Sequence, residues 1–366
     1  MFLALRELKY AKLRYALIGL IMVLIAGLIF IISGLTKGLA ADNASSIQNL
    51  QADYLVLEDS IEQQLNRSSI PALAGDDIKN IDGVKDASPL TLQMMSVGFH
   101  GSEQKLDVAM FATEANGMLV PPVAEGNGLD QDNGILIDSS LKREGVKIGD
   151  TLTAGNNNTE LIVKGFVEGQ RYSHTPVVFI SEEIFYQMMG NNDDSANMVN
   201  AIALNFDETN GDAIQSKLSD DFVLTSKEEV LTNVPSYSQE QASLTMMIVF
   251  LFVISSFVLA AFFYVITLQK RDQFGVLKAL GARTMYLIRS LVGQVLFLSV
   301  ICIGLGILVT YGIKLALPAG IPFQLTAEGM MQYSLLILTM AVIGSLLSLF
   351  QIAKIDPVEA IEGGAN

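Results

Sequence analysis

Paired carboxylates are the side chains of this chain whose type and spacing come nearest to chemistry. Asp76-Asp77, Glu182-Glu183, Asp193-Asp194 and Asp220-Asp221 each set two acids side by side, and such a pair can divide acid and base work. In a chain of net charge −15, a solvated surface pair is the plainer reading. Other constellations are missing from the sequence. No G-x-x-x-x-G-K-[ST] loop is present to cradle a triphosphate, so the chain is not itself a P-loop ATPase. H-E-x-x-H, C-x-x-C and G-x-S-x-G are also missing, and two histidines, His100 and His174, are too few for a histidine-rich metal site. Neither a catalytic site nor a structural metal is expected. The single cysteine, Cys302, excludes an intrachain disulfide. The acidic balance argues against nucleic acid as a partner.

The elements around these residues are dominated by apolar runs. Hydrophobic residues make up 51% of the chain and charged residues 17%, so the two kinds must be segregated into membrane and solvated parts. Residues 15–35 carry no charge, and at about 1.5 Å per residue they cross a hydrocarbon layer of about 30 Å. A cleaved signal peptide is the rival reading, with Gly38-Leu39-Ala40 as small residues near its end. The long apolar core and three further apolar runs favour a retained span. The expected layout is an amphipathic N-terminal helix at 1–14, a first span at 15–40, a mixed α/β domain at 41–242 and a second span at 243–268. A loop with a short helix follows at 269–285, then a third span at 286–312, a short loop at 313–331, a fourth span at 332–352 and a tail at 353–366. Arg6, Lys9, Lys12 and Arg14 precede the first span, and Lys270, Arg271, Lys278, Arg283 and Arg289 lie around the 269–285 loop. The positive-inside rule makes those segments and both termini cytoplasmic, and the large domain extracellular. A multi-pass protein of the plasma membrane is the expectation, with the lipid bilayer as its first partner.

Within the 41–242 domain, alternation predicts strands at 53–57, 90–97, 105–111, 134–138, 160–167, 176–180, 199–206 and 221–224. Ser181 followed by Glu182 and Glu183 predicts a capped helix over 182–189, a second helix is expected at 213–218, and 227–241 reads as a polar stretch feeding the second span. With no disulfide, the domain must be held by its own core.

The 269–285 loop is the most informative segment. The reading is that the second span runs out of the membrane, turns at Gly275, and gives a short amphipathic element ended by Gly281, with Phe274, Leu277 and Leu280 at i, i+3 and i+6. A basic membrane-flanking linker is one interpretation; a docking helix for a soluble partner is the other. Asp356-Pro357 starts a second short element beside the same membrane face.

At these residues, QKRDQFGVLKALGA from Gln269 and KIDPVEAI from Lys354, the chain resembles permeases of the macrolide-exporter (MacB/FtsX-like) superfamily of ATP-binding-cassette systems. The resemblance implies four spans with a large outer domain, and a homodimer working with two copies of a separate ATPase that carries the ATP and Mg. Phe274, Gly275, Leu277, Lys278 and Gly281 would then form the coupling helix, supported by Asp356, Pro357 and Glu359. The opening MFLALRELKYAKLRYALIGL and the RYSHTPVVF segment from Arg171 are similar to the haem-efflux (HrtB-type) permease subunits of Gram-positive bacteria. That closer resemblance implies extrusion and detoxification of haem by mechanical coupling, haem being transported cargo and no cofactor being intrinsic. Export of another amphiphile (lipid, peptide or antibiotic) and a non-transporting permease that regulates cell-wall hydrolases are the alternatives.

Given haem, its iron accepts His, Met, Tyr or carboxylate ligands. Tyr172 and His174 are two apart, and on a strand they would share one face; Tyr237 is a third candidate. Met22, Met246 and Met247 are candidates within the spans, with adaptable packing as the competing role, and Lys37 could meet a propionate or snorkel. Gly34 and Gly38, four apart, suggest a close helix seam in a homodimer.

Overall fold

A computed structural model of the chain describes residues 12–59, 63–99, 105–130, 133–155, 157–190, 197–207, 210–318 and 320–353. Most of the expected N-terminal helix at 1–14, His100, the Asp193-Asp194 pair, and Asp356, Pro357 and Glu359 of the tail lie outside the described residues. The chain divides into two compact units, Met1–Gly38 with Ala242–Asn366, and Leu39–Gln241.

Among the described residues, four helices are long and apolar enough to cross a membrane, with candidate spans Tyr15–Gln48, Tyr237–Gln269, Thr284–Ala316 and Ala327–Leu346. The helices are α1 (Lys12–Gln48), α2 (Ala74–Lys79), α3 (Glu182–Met189), α4 (Gly211–Gln215), α5 (Lys227–Thr232), α6 (Tyr237–Gln269), α7 (Arg271–Ala279), α8 (Thr284–Ala316) and α9 (Ala327–Ala353). In α1, Ile18, Met22, Ala26 and Ile29 form a buried stripe, while Leu17, Leu20, Leu24 and Leu28 form an exposed one. A helix that is apolar on both faces is stable only where its outer face meets lipid. The same pattern runs along α6, where Ile248, Phe252, Leu259, Phe263 and Ile266 turn inward and Met246, Phe250, Val253 and Phe257 turn outward.

The Leu39–Gln241 unit is a mixed sheet with strand order β13-β1-β12-β3-β4-β10-β6-β8-β5. The strands are β1 (Tyr54–Glu58), β2 (Ile70–Pro71), β3 (Val84–Phe99), β4 (Lys105–Thr113), β5 (Val123–Gly126), β6 (Gly134–Asp138), β7 (Thr151–Ala154), β8 (Thr159–Val167), β9 (Arg171–Tyr172), β10 (Thr175–Ser181), β11 (Met198–Val199), β12 (Ala201–Phe206) and β13 (Phe222–Ser226). Pairs β4–β10 and β6–β8 are parallel. The period-two rule explains the core. Phe111, Val177 and Phe179 pack into one cluster with Leu55, Leu90 and Leu136, whereas Met110, Ala112, Val178 and Ile180 pack into another with Ile135, Ile137 and Leu161. Both faces of the central strands are therefore covered. β1, which follows α1, pairs antiparallel with β13, which precedes α5 and α6, in the register Tyr54↔Ser226 to Glu58↔Phe222.

Ser181 caps α3, its hydroxyl accepting from Ile184 N at 3.5 Å, as the sequence predicts. The polar stretch 227–241 is more ordered than expected. Ser226 and Glu229 form a reciprocal capping box that starts α5, and such caps contribute about 1 kcal/mol. The expected turn at Gly275 is also corrected. Gly275 lies inside α7, and the chain bends instead at Lys270 (φ −98°, ψ 4°), which separates α6 from α7.

Candidate functional site

Two polar assemblies stand out, one in each unit. In the Leu39–Gln241 unit, β9 and β10 form a hairpin in which Tyr172 pairs with Thr175. The two residues between them, Ser173 (φ 47°) and His174 (φ 64°), both have left-handed backbone, as a type I′ turn requires. Glycine and asparagine usually fill such positions; Ser-His is strained there and must be held by its surroundings. The holding surface is a break in α1. Ala44 has non-helical backbone (φ −146°, ψ 22°), and the carbonyls of Asn43 and Asp42 accept from Ser173 N at 2.6 Å and His174 N at 3.2 Å. Ser45 and Ser46 complete the seat, Ser45 Oγ accepting from Arg171 N at 3.0 Å and Ser46 Oγ donating to Arg171 O at 2.9 Å.

The side chains continue the pattern. His174 Nδ1 lies 2.8 Å from Asp42 Oδ2 and its Nε2 lies 3.1 Å from Glu240 Oε1. Asp42 also pairs with Arg171, and Glu240, in the first turn of α6, accepts from Asn43 Nδ2 at 3.3 Å. One imidazole thus joins the end of α1 to the start of α6. Burial lowers the His174 pKa, but the hydrogen bonds and charges of Asp42 and Glu240 outweigh it and hold the group above its usual 6.5. When protonated, the ring donates from both nitrogens and has no lone pair free for iron while the clasp is closed.

The expected Tyr172–His174 binding face does not form, because the chain turns between them. Tyr172 is 2% exposed, with its ring 5.8 Å from that of Phe111; burial pushes its phenol pKa up and leaves the hydroxyl without a partner. His174, in contrast, keeps 39% of its side chain exposed. Arg171 shares Asp42 with His174. Tyr237 is half-buried, its hydroxyl accepting from Gln48 Nε2 at 3.4 Å.

In the other unit, the chain's bend at Lys270 is fixed by a buried chain of contacts. Lys270 Nζ donates to Gln294 Oε1 at 2.9 Å, and Gln294 Nε2 donates to Tyr15 Oη at 2.7 Å. The ammonium also stands 5.9 Å from the centre of the Tyr15 ring, within cation–π range. All three residues are buried, so α1, α8 and the α6–α7 bend are tied together. The sequence gives Lys270 only as one of several flanking cations. Its burial depends on a glutamine two helices away, which no local pattern reveals.

On α7, Phe274 and Leu277 pack against Leu287 and Leu291 of α8, Gly275 is buried, and Lys278 sits in the last turn. Gly281 (φ 92°) ends the helix, its N–H bonding to Lys278 O at 3.0 Å while Ala282 N bonds to Leu277 O at 2.9 Å. This is the glycine-capped ending expected. The single face expected for Phe274, Leu277 and Leu280 is divided: the first two turn inward and Leu280 is 79% exposed.

Met22 is core, packed with Phe263 and Leu298, whereas Met246 and Met247 are exposed on α6. Gly34 and Gly38, expected at a homodimer seam, meet residues 322–325 of their own chain. Gln324 N donates to Gly34 O at 3.0 Å, a Cβ on Gly34 would lie 2.6 Å from Phe323 Cε2, and one on Gly38 would collide with the Pro322 backbone.

Residues 245–357 match the family described as FtsX-like permease C-terminal. The chain is 32% identical over 362 residues to a Staphylococcus haemolyticus protein that bears the provisional name hemin transport system permease protein HrtB, with 99% of each chain covered. A Staphylococcus epidermidis protein of the same provisional name is 29% identical over 371 residues, again with 99% of each covered. Among solved structures, the periplasmic region of MacB from Actinobacillus actinomycetemcomitans is similar at 12% identity and TM-score 0.39, covering 50% of this chain and 93% of that one; a likeness that loose carries no weight here.

Proposed function

The chain belongs to the family of HrtB-type hemin transport permeases of ATP-binding-cassette systems, and we propose that it extrudes haem from the plasma membrane under the drive of a separate cytoplasmic ATPase. The observation that carries this is the 32% identity with the hemin permease relative in an alignment that covers 99% of both chains, spans and large domain together. The basic residues flanking the spans support cytoplasmic termini and an extracellular Leu39–Gln241 unit.

In this reading two ATPase copies dock on two permease copies, each meeting the exposed face of α7 that carries Val276 and Leu280. Phe274 and Leu277 fasten α7 to α8, Gly281 ends it, and Asp356, Pro357 and Glu359 of the tail support it. ATP and Mg stay on the partner, and closure of the ATPase pair moves α7. Lys270 passes that movement to α1 and α8 through Gln294 and Tyr15. Haem is already dissolved in the bilayer, so it reaches the spans sideways. Met246 and Met247 are the methionines that lipid-dissolved haem would meet, Met22 being buried. On the outer domain Tyr237 is the residue that contacts haem. His174 is reached only once its clasp has opened, and Tyr172 serves the core.

The test is to purify the permease with its ATPase from cells grown in haemin, reconstitute both in nanodiscs, and record the absorption spectrum and the ATPase rate. A Soret band and haemin-stimulated hydrolysis are expected. Neither signal, or greater haemin accumulation in cells that contain the permease than in cells that lack it, would reject haem efflux.

A further inference from the structure

The contacts of His174 lie between two breaks in the backbone. In α1 the break is at Ala44 (φ −146°, ψ 22°), two residues beyond Asp42. On the other side Ser236 (φ 64°) has left-handed backbone immediately before α6, four residues ahead of Glu240. A serine in that region is strained, and residues at element ends are the ones that absorb the backbone rotation of a hinge. The first turn of α6 can therefore pivot about Ser236, and His174 reaches across to hold it. Asn43 Nδ2 also reaches this segment, donating to Pro235 O at 3.4 Å and Glu240 Oε2 at 3.3 Å, as does Gln48 Nε2 at Tyr237 Oη. Those donors are neutral amides, whereas the His174 contact at 3.1 Å changes with a proton.

Asp42 faces the ring from α1 and Glu240 faces it from α6, while Arg171 of β9 pairs with Asp42 and donates to the His174 carbonyl. The imidazolium satisfies both carboxylates at once. A neutral ring has a single N–H, so it donates to one carboxylate and sets a lone pair against the other. Asp42 is the one kept, because it lies closer, at 2.8 Å, and Arg171 holds it to the same hairpin. Glu240 is then released, and the first turn of α6 with it. The His174, Asp42 and Glu240 side chains are 39%, 20% and 30% exposed, so the proton exchanges with solvent while the domain stays folded. Burial lowers the His174 pKa, but its two carboxylate partners outweigh that and hold it above 6.5. The double contact is therefore complete below about pH 6.5 and is lost as pH rises through the higher folded value.

We propose that His174 is a proton-operated latch, which when protonated fastens the first turn of α6 to the β9–β10 hairpin and to Asp42 of α1, and when neutral lets that turn pivot about Ser236. Asp42 is the fixed side of the latch and Glu240 the moving one. If α6 moves in the stroke proposed above, the closed latch slows turnover on the acidic side. That consequence rests on the functional reading; the latch itself does not.

Spin labels at Glu168→Cys and Ser238→Cys test it. Both positions are exposed and lie in the Leu39–Gln241 unit, one just before the hairpin and one in the first turn of α6. In a Cys302→Ala background, pulsed electron resonance on the full-length permease in nanodiscs measures their separation from pH 5.5 to 9. The expected result is one short distance at pH 5.5 and a longer population that grows with a midpoint above 6.5. His174→Asn, which tolerates left-handed backbone but carries no titrating proton, should show the longer population at every pH. Glu240→Gln should do the opposite and stay short to pH 9, because its amide donates to the neutral ring. The latch is overturned if the parent distances are the same at pH 5.5 and 9, if His174→Asn titrates as the parent does, or if Glu240→Gln opens with pH as the parent does. With the ATPase present, basal hydrolysis of the parent should rise several-fold more between pH 6 and 8.5 than that of His174→Asn. Distances that titrate beside an equal rise in both would uphold the latch and reject the stroke through α6. Neither readout uses haemin, so failure of the haem reading is seen separately.

Discussion

A histidine with a carboxylate on each ring nitrogen differs chemically from one with a free lone pair. His174 gains two charge-assisted hydrogen bonds in the folded state, and its pKa is raised there. A raised histidine stabilises the fold fully at pH below its unfolded value near 6.5, and that stabilisation is lost as pH rises through the higher folded value. The melting temperature of the parent should therefore exceed that of His174→Gln most at pH 5 to 6, and the gap should shrink steadily toward pH 9. A gap that is constant with pH would mean that His174 acts through its backbone alone. The exposed part of the ring keeps the effect modest, because water screens the pair. The spacing of Tyr172 and His174 was readable in the sequence, but its meaning was not. Period-two reasoning assumes extended backbone, and the RYSHT segment has neither glycine nor asparagine to betray a turn with positive φ.

The elements show the same division between local pattern and long-range contact. Apolar runs made all four long helices legible, and Ser181 with its acids marked the start of α3. The extension of α1 to Gln48 was not legible, since the apolar run that marks the span fades near residue 40 and the polar residues beyond it carry no span signal. Nor was the Lys270–Gln294–Tyr15 chain, whose members are scattered over the sequence. Lys270→Met should cost about 2 kcal/mol, the usual worth of a hydrogen bond to a charged group, and should weaken haemin-stimulated ATPase several-fold more than basal ATPase. Partial rescue by Lys270→Arg is expected, and equal loss of both activities would reduce the contact to simple packing. At the other end of α1, Gly38→Ala should destabilise by about 1–3 kcal/mol through overpacking. Gly34→Ala should cost less, because the Phe323 ring can rotate away whereas the Pro322 backbone cannot. Thermal melts of the two variants decide the order.

For the molecule as a whole, flanking cations predict the orientation, and cysteine accessibility tests it. Cys302 is the single cysteine and is buried, so a Cys302→Ala background is a mild starting point. In that background, a membrane-impermeant maleimide should label Asp82→Cys in intact cells and Leu280→Cys only after permeabilisation; the reverse pattern would invert the topology. Both positions are well exposed. The strand pairing also carries a mechanical consequence. β1 and β13 are antiparallel neighbours, and their ends nearest α1 and α6 lie at the same end of the ladder, at Tyr54 and Ser226. Drawing both helices the same way leaves the rungs between these strands unloaded. Prising the helices apart would open the ladder as a zip, one rung at a time from Tyr54, and the bonds that must fail before the first rung include those among His174, Asp42, Asn43 and Glu240, then Gln48 to Tyr237 and Lys227 to Leu50 and Asp53.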